Sequence, residues 1–319
     1  MRGRGSRRLP TAIALLAFLS LGWGLAWPVT KIAVEQVPVW HLRAGTTLLA
    51  GLLMLTIAGL LGGRVAAPRS ELARLAFLAQ FNVTGWCLFS AYGVSLMEAG
   101  RAGIIAFTMP IWTAILAVAI GQERMSPAKL LALGLGAAGL AALLAPEWRE
   151  VAAAPFGVLA MTGSAIAWAI GTLGMKQVRW TTGPAVQSGW QLLFGALPMG
   201  IGIFVMGERF DPATVDAEAW FALAYLLVVG LLLSQWAWFG AVQALPATVA
   251  GVGSLSVPVV GVIGSAIWLG ERVGAPEIAA LVLIGASVLL AMRPQSAQEP
   301  AAAAHVPARA LGFDPKRLR

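Results

Sequence analysis

The chain has 319 residues, of which 59% are hydrophobic and 11% charged, with a formal net charge of +8. A soluble domain carries about a quarter charged residues, so that class is excluded. The positive balance does not indicate nucleic acid, because no basic residues interleave with aromatics on a polar face, and cationic membrane proteins carry such an excess as a topology signal.

Apolar runs of about 18 to 23 residues recur along the chain, the length a helix needs to cross hydrocarbon. Hydrocarbon offers the backbone no hydrogen-bond partner, and runs this long and continuous exclude barrel strands. The fold class is therefore an all-α polytopic membrane protein. Residues 1–10 form a basic N-terminus with Arg2, Arg4, Arg7 and Arg8. The run that follows carries Trp23, Trp27 and Pro28 where a signal peptide would have small residues, and reads as a retained helix. Ten spans are predicted: Thr11–Val34, Val39–Leu61, Leu72–Leu96, Gly100–Ile120, Ala128–Ala145, Phe156–Met175, Pro184–Met206, Trp220–Gln243, Ala247–Leu269 and Ala275–Met292. The single cysteine, Cys87, lies inside the third. Residues 146–155 link two five-span halves, 11–145 and 156–292, and 293–319 read as a disordered cytosolic tail. With the N-terminus inside, sixteen Lys and Arg fall on the cytoplasmic side and six on the other, so both termini are expected in the cytoplasm of a cell whose inner membrane the chain spans.

Residues 102–144 and 250–292 align at a constant offset of 148 without gaps, bringing Pro110 onto Pro258 and Glu123-Arg124 onto Glu271-Arg272. Trp23 and Lys31 meet Trp168 and Lys176 at an offset of 145, and Leu48-Leu49-Ala50-Gly51 meets Leu192-Leu193-Phe194-Gly195 at 144. The whole half is duplicated. Five is odd, so the second copy enters from the opposite side, and the halves form an inverted pair. Such a pair has two near-equivalent conformations, one open to each side, which is the basis of alternating access.

The Trp-Gly followed by Lys31 in the first span, Arg43 early in the second, and the repeated Pro then Glu-Arg pattern resemble the EamA domain. The chain is similar throughout to ten-helix EamA-type transporters of the drug/metabolite transporter superfamily, with Gln187 standing where the second half would carry another Arg43. The resemblance implies a bacterial inner-membrane carrier with spans one, three, four, six, eight and nine around a central cavity.

In the first span Ser20, Trp23, Trp27 and Lys31 share one helix face, and Ser164, Trp168, Thr172 and Lys176 repeat it in the sixth. Two readings stand: a cavity wall whose indoles enclose a solute, or aromatic packing with the lysines snorkelling to opposite interfaces. Pro110 and Pro258 each remove a helix hydrogen bond and kink a span. Thr108 and Trp112 flank the first kink, and Ser254 and Ser256 precede the second. The third span holds Asn82, Thr84, Trp86, Ser90 and Tyr92, and the eighth Ser234, Gln235, Trp236 and Trp238. Gln235 is assigned to solute contact and Asn82 to an interhelical tie. Arg43 either attracts anionic or zwitterionic solutes or pairs with a helix end or lipid headgroup. The candidate solute-binding set is Trp23, Trp27, Lys31, Tyr92, Thr108, Trp112, Trp168, Thr172, Gln235, Trp238, Ser254 and Ser256. The hinge and gate set is Pro110, Pro258, Glu123, Arg124, Glu271 and Arg272.

All fourteen Asp and Glu fall in loops, tails or helix ends. A proton-coupled exporter of cationic drugs usually needs a midplane carboxylate. The expected function is a monomeric carrier, not an enzyme, exporting neutral, zwitterionic or anionic metabolites such as amino acids, with no cofactor or metal. The alternatives are a cation exporter using Glu98 and, more distantly, an intramembrane lipid-modifying enzyme. The latter would need metal-binding clusters that two isolated histidines, His41 and His305, do not supply.

Overall fold

The computed structural model describes residues 8–96, 99–123, 125–145, 148, 153–245, 249, 252–258, 260 and 274–292. Among them the chain is helical without strands. Seven helical stretches are long and apolar enough to cross a membrane: Val39–Leu60, Arg69–Gly93, Ala102–Ala119, Pro127–Leu144, Pro155–Gln177, Pro184–Met206 and Ala217–Val242. Shorter apolar helices, Ile13–Gly24 and Ile278–Ser287, fall in the predicted first and tenth spans. Most of the predicted ninth lies outside the described residues.

Three spans depart from simple helices. The first is two helices, Arg8–Gly24 and Ala26–Gln36, with a turn at Leu25. Pro28 brings no N–H to the carbonyl of Gly24, so the ladder breaks one turn before it. The fourth divides likewise into Ala99–Ala106 and Met109–Ala119, with Pro110 opening the second piece. In the third and eighth spans the helix widens into π-helical segments, Gln80–Gly85 and Leu226–Leu233.

The polarity is inside out. Leu60, Leu61, Phe156, Phe204, Val205 and Leu289 are strongly exposed, whereas Ser20, Thr47, Asn82, Gln187, Gln191, Ser234, Gln235 and Ser287 are buried. That is the pattern hydrocarbon requires, since polar groups left in lipid find no partner.

Packing shows how the halves are related. The second span lies along the seventh, and the fifth along the tenth, so each helix packs on its own counterpart. The first span packs on the eighth, and the sixth, its counterpart, on the third. In the second and seventh spans Trp40 meets Gly202, Gly51 meets Gly189 and Leu193, and Leu55 meets Gly189. As one index rises the other falls, so these equivalent helices run antiparallel. The fifth and tenth do the same: the Ser287 hydroxyl donates to the Ala132 carbonyl, and Gly139 meets Ile284 and the Ala280 carbonyl. Repeats related by an axis along the membrane normal would give parallel counterparts. The axis therefore lies in the membrane plane.

Glycine sets the closeness of these seams. A Cβ on Gly51 would fall 2.9 Å from Leu193 Cδ2 and 3.0 Å from the Gly189 oxygen, whereas one on Gly45 meets nothing within 4 Å. Gly51→Ala is predicted to cost about 1–3 kcal/mol of stability through overpacking, and Gly45→Ala nothing. Thermal unfolding of the two detergent-purified variants, followed by size-exclusion peak height, checks the pair. Equal melting points would contradict the seam.

Candidate functional site

A cavity of about 100 Å³, measured for the centres of water-sized molecules, lies between the halves. That is several times the roughly 10–15 Å³ one water needs. Its lining comes from Trp23, Ala26 and Thr30 of the first span, Leu42, Arg43 and Thr46 of the second, and Asn82, Val83, Trp86, Cys87 and Ser90 of the third. Phe107 and Met109 at the break in the fourth, Trp168, Leu192, and Leu226, Gly230, Leu231 and Gln235 of the eighth complete it. Thr30, Arg43, Ser90 and Leu226 sit in the helix halves nearest the 207–216 loop, and Trp168 and Gln235 near mid-span. The cavity therefore occupies the half of the protein on the side of that loop.

Its floor is a cluster of four indoles. Trp168 packs against Trp23 edge-on at 5.5 Å between ring centroids, against Trp86 at 4.9 Å and against Trp238 at 5.4 Å. Trp23 also meets Trp238 at 5.9 Å. Two indoles come from the counterpart spans one and six, and two from the counterpart spans three and eight. The π-helical segments support them. Such a turn shifts the hydrogen-bond register by one residue and leaves carbonyls available to side chains. Trp23 Nε1 donates to the Gly230 oxygen of the second such segment at 3.0 Å, and Thr84, within the first, donates its hydroxyl to the Gly195 carbonyl of the seventh span, also at 3.0 Å.

The polar atoms around the cavity are incompletely paired. Asn82 Nδ2 donates to Gln191 Oε1 at 3.4 Å, but its Oδ1 has no partner. Arg43 Nε, Gln235 Nε2 and Trp168 Nε1 are likewise buried without one. Among the described lining residues Arg43 carries the only full charge and none is a carboxylate.

The opposite face is tied shut. Glu71 accepts from the backbone N–H and hydroxyl of Thr181 at 2.8 and 2.6 Å, and from those of Thr182 at 3.3 and 2.7 Å. Gln122 donates to the Leu173 carbonyl at 3.2 Å, Lys176 Nζ to the Leu245 carbonyl, and Lys129 Nζ to Glu123 at 2.9 Å. These bonds join the ends of spans three to eight.

Of the sequence-assigned residues, Trp23, Trp168 and Gln235 come together on the cavity wall, with Trp238 directly behind them. Thr172 is buried outside the lining, its hydroxyl unpartnered. Tyr92 is 40% exposed and meets Trp40 edge-on, away from the cavity. Trp112 donates to Thr108 Oγ1 at 3.2 Å, and Thr108 to the Ile105 carbonyl at 2.7 Å, so both are spent within the fourth-span break. Ser256 shares a short hydrogen bond with Ser20, tying spans one and nine, and Ser254 is buried in the turn before Pro258. Pro110 and Pro258 sit at helix breaks, and Glu123 belongs to the closed face. The side chains of Trp27 and Lys31, and residues Arg124, Glu271 and Arg272, lie outside the described set. Spans two and seven also line the cavity, which the resemblance did not imply.

The chain matches the EamA-like transporter family over residues 10–145 and 155–293. It belongs to that family. An uncharacterized transporter of Bacillus subtilis, YvbV, is 30% identical over 90% of this chain and 93% of its own length. A probable amino-acid metabolite efflux pump of Salmonella typhimurium is 26% identical, covering 84% of this chain and 90% of that one. A solved crystal structure superposes with a TM-score of 0.72 at 19% identity, over 89% of this chain and 96% of that one, which speaks for the fold alone. The family and these relatives establish a multi-pass membrane transporter.

In the sequence Trp86 and Ser90 stand out as part of the third span's polar and aromatic group without an assigned role, Thr30 does not stand out, and Arg43 has two open roles. A usable signal existed for the third span, because Asn82, Trp86 and Ser90 recur every four residues and so form one face. At the floor, a Cβ on Gly171 would fall 2.3 Å from Asn82 Oδ1 and 2.9 Å from its backbone N. Gly171→Ala is predicted to destabilise by about 1–3 kcal/mol. Asn82→Ala relieves only the side-chain part of that clash, so a double-mutant cycle read by thermal unfolding should give a non-zero coupling. Strict additivity would contradict the contact.

Proposed function

We propose that the protein is a secondary carrier exporting small organic metabolites, amino acids among them, across a bacterial inner membrane by alternating access. One observation carries the reading: the cavity lies between inverted repeats, occupies one half only, and ends on indoles from both repeats. A solute can pass only if the bonds at the Glu71 face part while the other face closes. The inverted relation supplies a second arrangement of similar energy in which that exchange has occurred. The sixteen-to-six distribution of basic residues supports cytoplasmic termini, which makes the Glu71 face cytoplasmic and the cavity outward-open. Relatives named as probable amino-acid metabolite efflux pumps support both the solute class and the direction. A lipophilic cation fits less well, because the described lining offers it Arg43 and no carboxylate.

Counterflow tests the carrier. Amino acids that stabilise the purified protein thermally are expected to drive saturable uptake of the same labelled amino acid into preloaded proteoliposomes. Trp168→Ala should weaken half-saturation about tenfold, equivalent to about 1.4 kcal/mol. Stabilising solutes that show no counterflow would sink the reading. Uptake of a fluorescent cation driven by a pH gradient and abolished by Glu98→Gln would establish the rival one.

The closed face gives an independent check. In a Cys87→Ala background, Lys176→Cys with Leu245→Cys, joined by a short bifunctional thiol reagent, is expected to stop counterflow, and a cleavable reagent to restore it on reduction. Full activity of the cross-linked protein would mean that this face never opens.

A further inference from the structure

We propose that Arg43 is the anchor for the solute's carboxylate, so that the site selects organic anions and zwitterions by charge at its mouth and by apolar surface at its floor. The inference rests on the carrier reading above and adds which solutes the site takes. Arg43 is the fifth residue of the helix beginning at Val39, about 6 Å along it at 1.5 Å per residue. Its guanidinium has no carboxylate within salt-bridge distance among the described residues, and its Nε is buried without a partner. A cation in that condition inside a membrane protein is costly unless an anion joins it. The planar fork of an arginine matches a carboxylate in two parallel bonds.

The other unpaired atoms of cavity-lining residues lie deeper. Gln235 Nε2 and Trp168 Nε1 are donors, while Asn82 Oδ1 is packed against Gly171 and does not face the solute space. Thr30 and Thr46 donate to carbonyls of their own helix, those of Ala26 and Leu42, and so present only lone pairs to the cavity. An α-amino acid supplies what is missing: a carboxylate for Arg43, ammonium hydrogens for the acceptors, and a side chain for the indoles. A second repeat of the anchor is absent, since Gln187 occupies the counterpart position and donates to the Thr182 carbonyl at 2.5 Å in the closed face.

Calorimetric titration of the full-length protein in neutral detergent separates the contributions with four probes that share a phenyl group. These are L-phenylalanine, its methyl ester, 3-phenylpropanoate and 2-phenylethylamine. The two carboxylates are expected to bind about tenfold or more tightly than the ester and the amine, the range of a charge-assisted hydrogen bond. Arg43→Gln should erase that preference while changing ester affinity less than about twofold, and Arg43→Lys should keep part of it. Equal binding of acid and ester, or equal weakening of all four probes by Arg43→Gln, overturns the anchor. If Arg43→Gln fails to give a monodisperse protein, Arg43→Lys decides, since it keeps the charge but loses the fork: a selective loss of acid affinity supports the anchor and an unchanged one overturns it. Competition of 3-phenylpropanoate by phosphatidylglycerol would assign the guanidinium to a lipid headgroup and also overturn it. Binding of none of the probes rejects this solute class, and counterflow of any other solute by the same preparation would leave the carrier reading standing.

Discussion

In hydrocarbon a polar group must find its partner within the protein or be left unpaired at a cost of several kcal/mol. That requirement determines where this chain places its few polar side chains. Ser20, Ser234 and Ser287 are spent on helix carbonyls, and Glu71 collects four donors at a span end. The unpaired atoms of Arg43, Asn82, Gln235 and Trp168, in contrast, lie around one cavity. Thr47, Thr172 and Trp238 also leave a buried polar atom unpaired away from the lining, so the rule is relaxed through this part of the interior, with four of those seven atoms belonging to cavity-lining residues.

The helix irregularities follow from the same constraint. Prolines and π-turns release backbone carbonyls, which is tolerable in a membrane only where protein or a cavity takes them up. Here the release is matched by indole and hydroxyl donors, as in Trp23 to Gly230 and Thr108 to Ile105. Breaks and π-turns therefore lie next to the cavity in spans one, three, four and eight, while the helices of the two-seven and five-ten seams run unbroken, span seven accommodating Pro198 within its helix. The unbroken helices of these seams pack the repeats on one another, and the broken helices bound the space between them.

Much of the fold was legible because its signals are local or periodic. Apolar run length placed the seventh and tenth spans at the helix bounds observed, and the shared Pro and Glu-Arg offset revealed the duplication. The π-turns were not legible, because Gln80–Gly85 and Leu226–Leu233 share no sequence pattern. The site was legible in part. Trp23 and Trp168 stood out because they repeat, whereas Arg43 has no repeat to mark it and depends on the second span facing the cavity. Thr108 and Trp112 show a related limit: adjacent to a proline kink, they satisfy each other and the broken turn, a local outcome that spacing alone does not distinguish from a solute contact.

Inverted repeats make two conformations nearly equal, so small sequence differences decide which is lower. The indole cluster is already unequal: Trp168 touches the three other indoles at centroid distances of 4.9 to 5.5 Å, while Trp23 meets Trp168 and Trp238. The stronger difference lies at the helix ends. On the alternating-access reading proposed above, closing a face desolvates whatever stands at position 43 or at its counterpart, 187. Gln187 is neutral, and its amide finds the Thr182 carbonyl when its face closes. A guanidinium in the same place would need a counter-charge that the described residues do not provide. On that reading the cheaper face to close in the empty protein is the one that carries glutamine. That is the face closed here, with Arg43 left beside the open cavity.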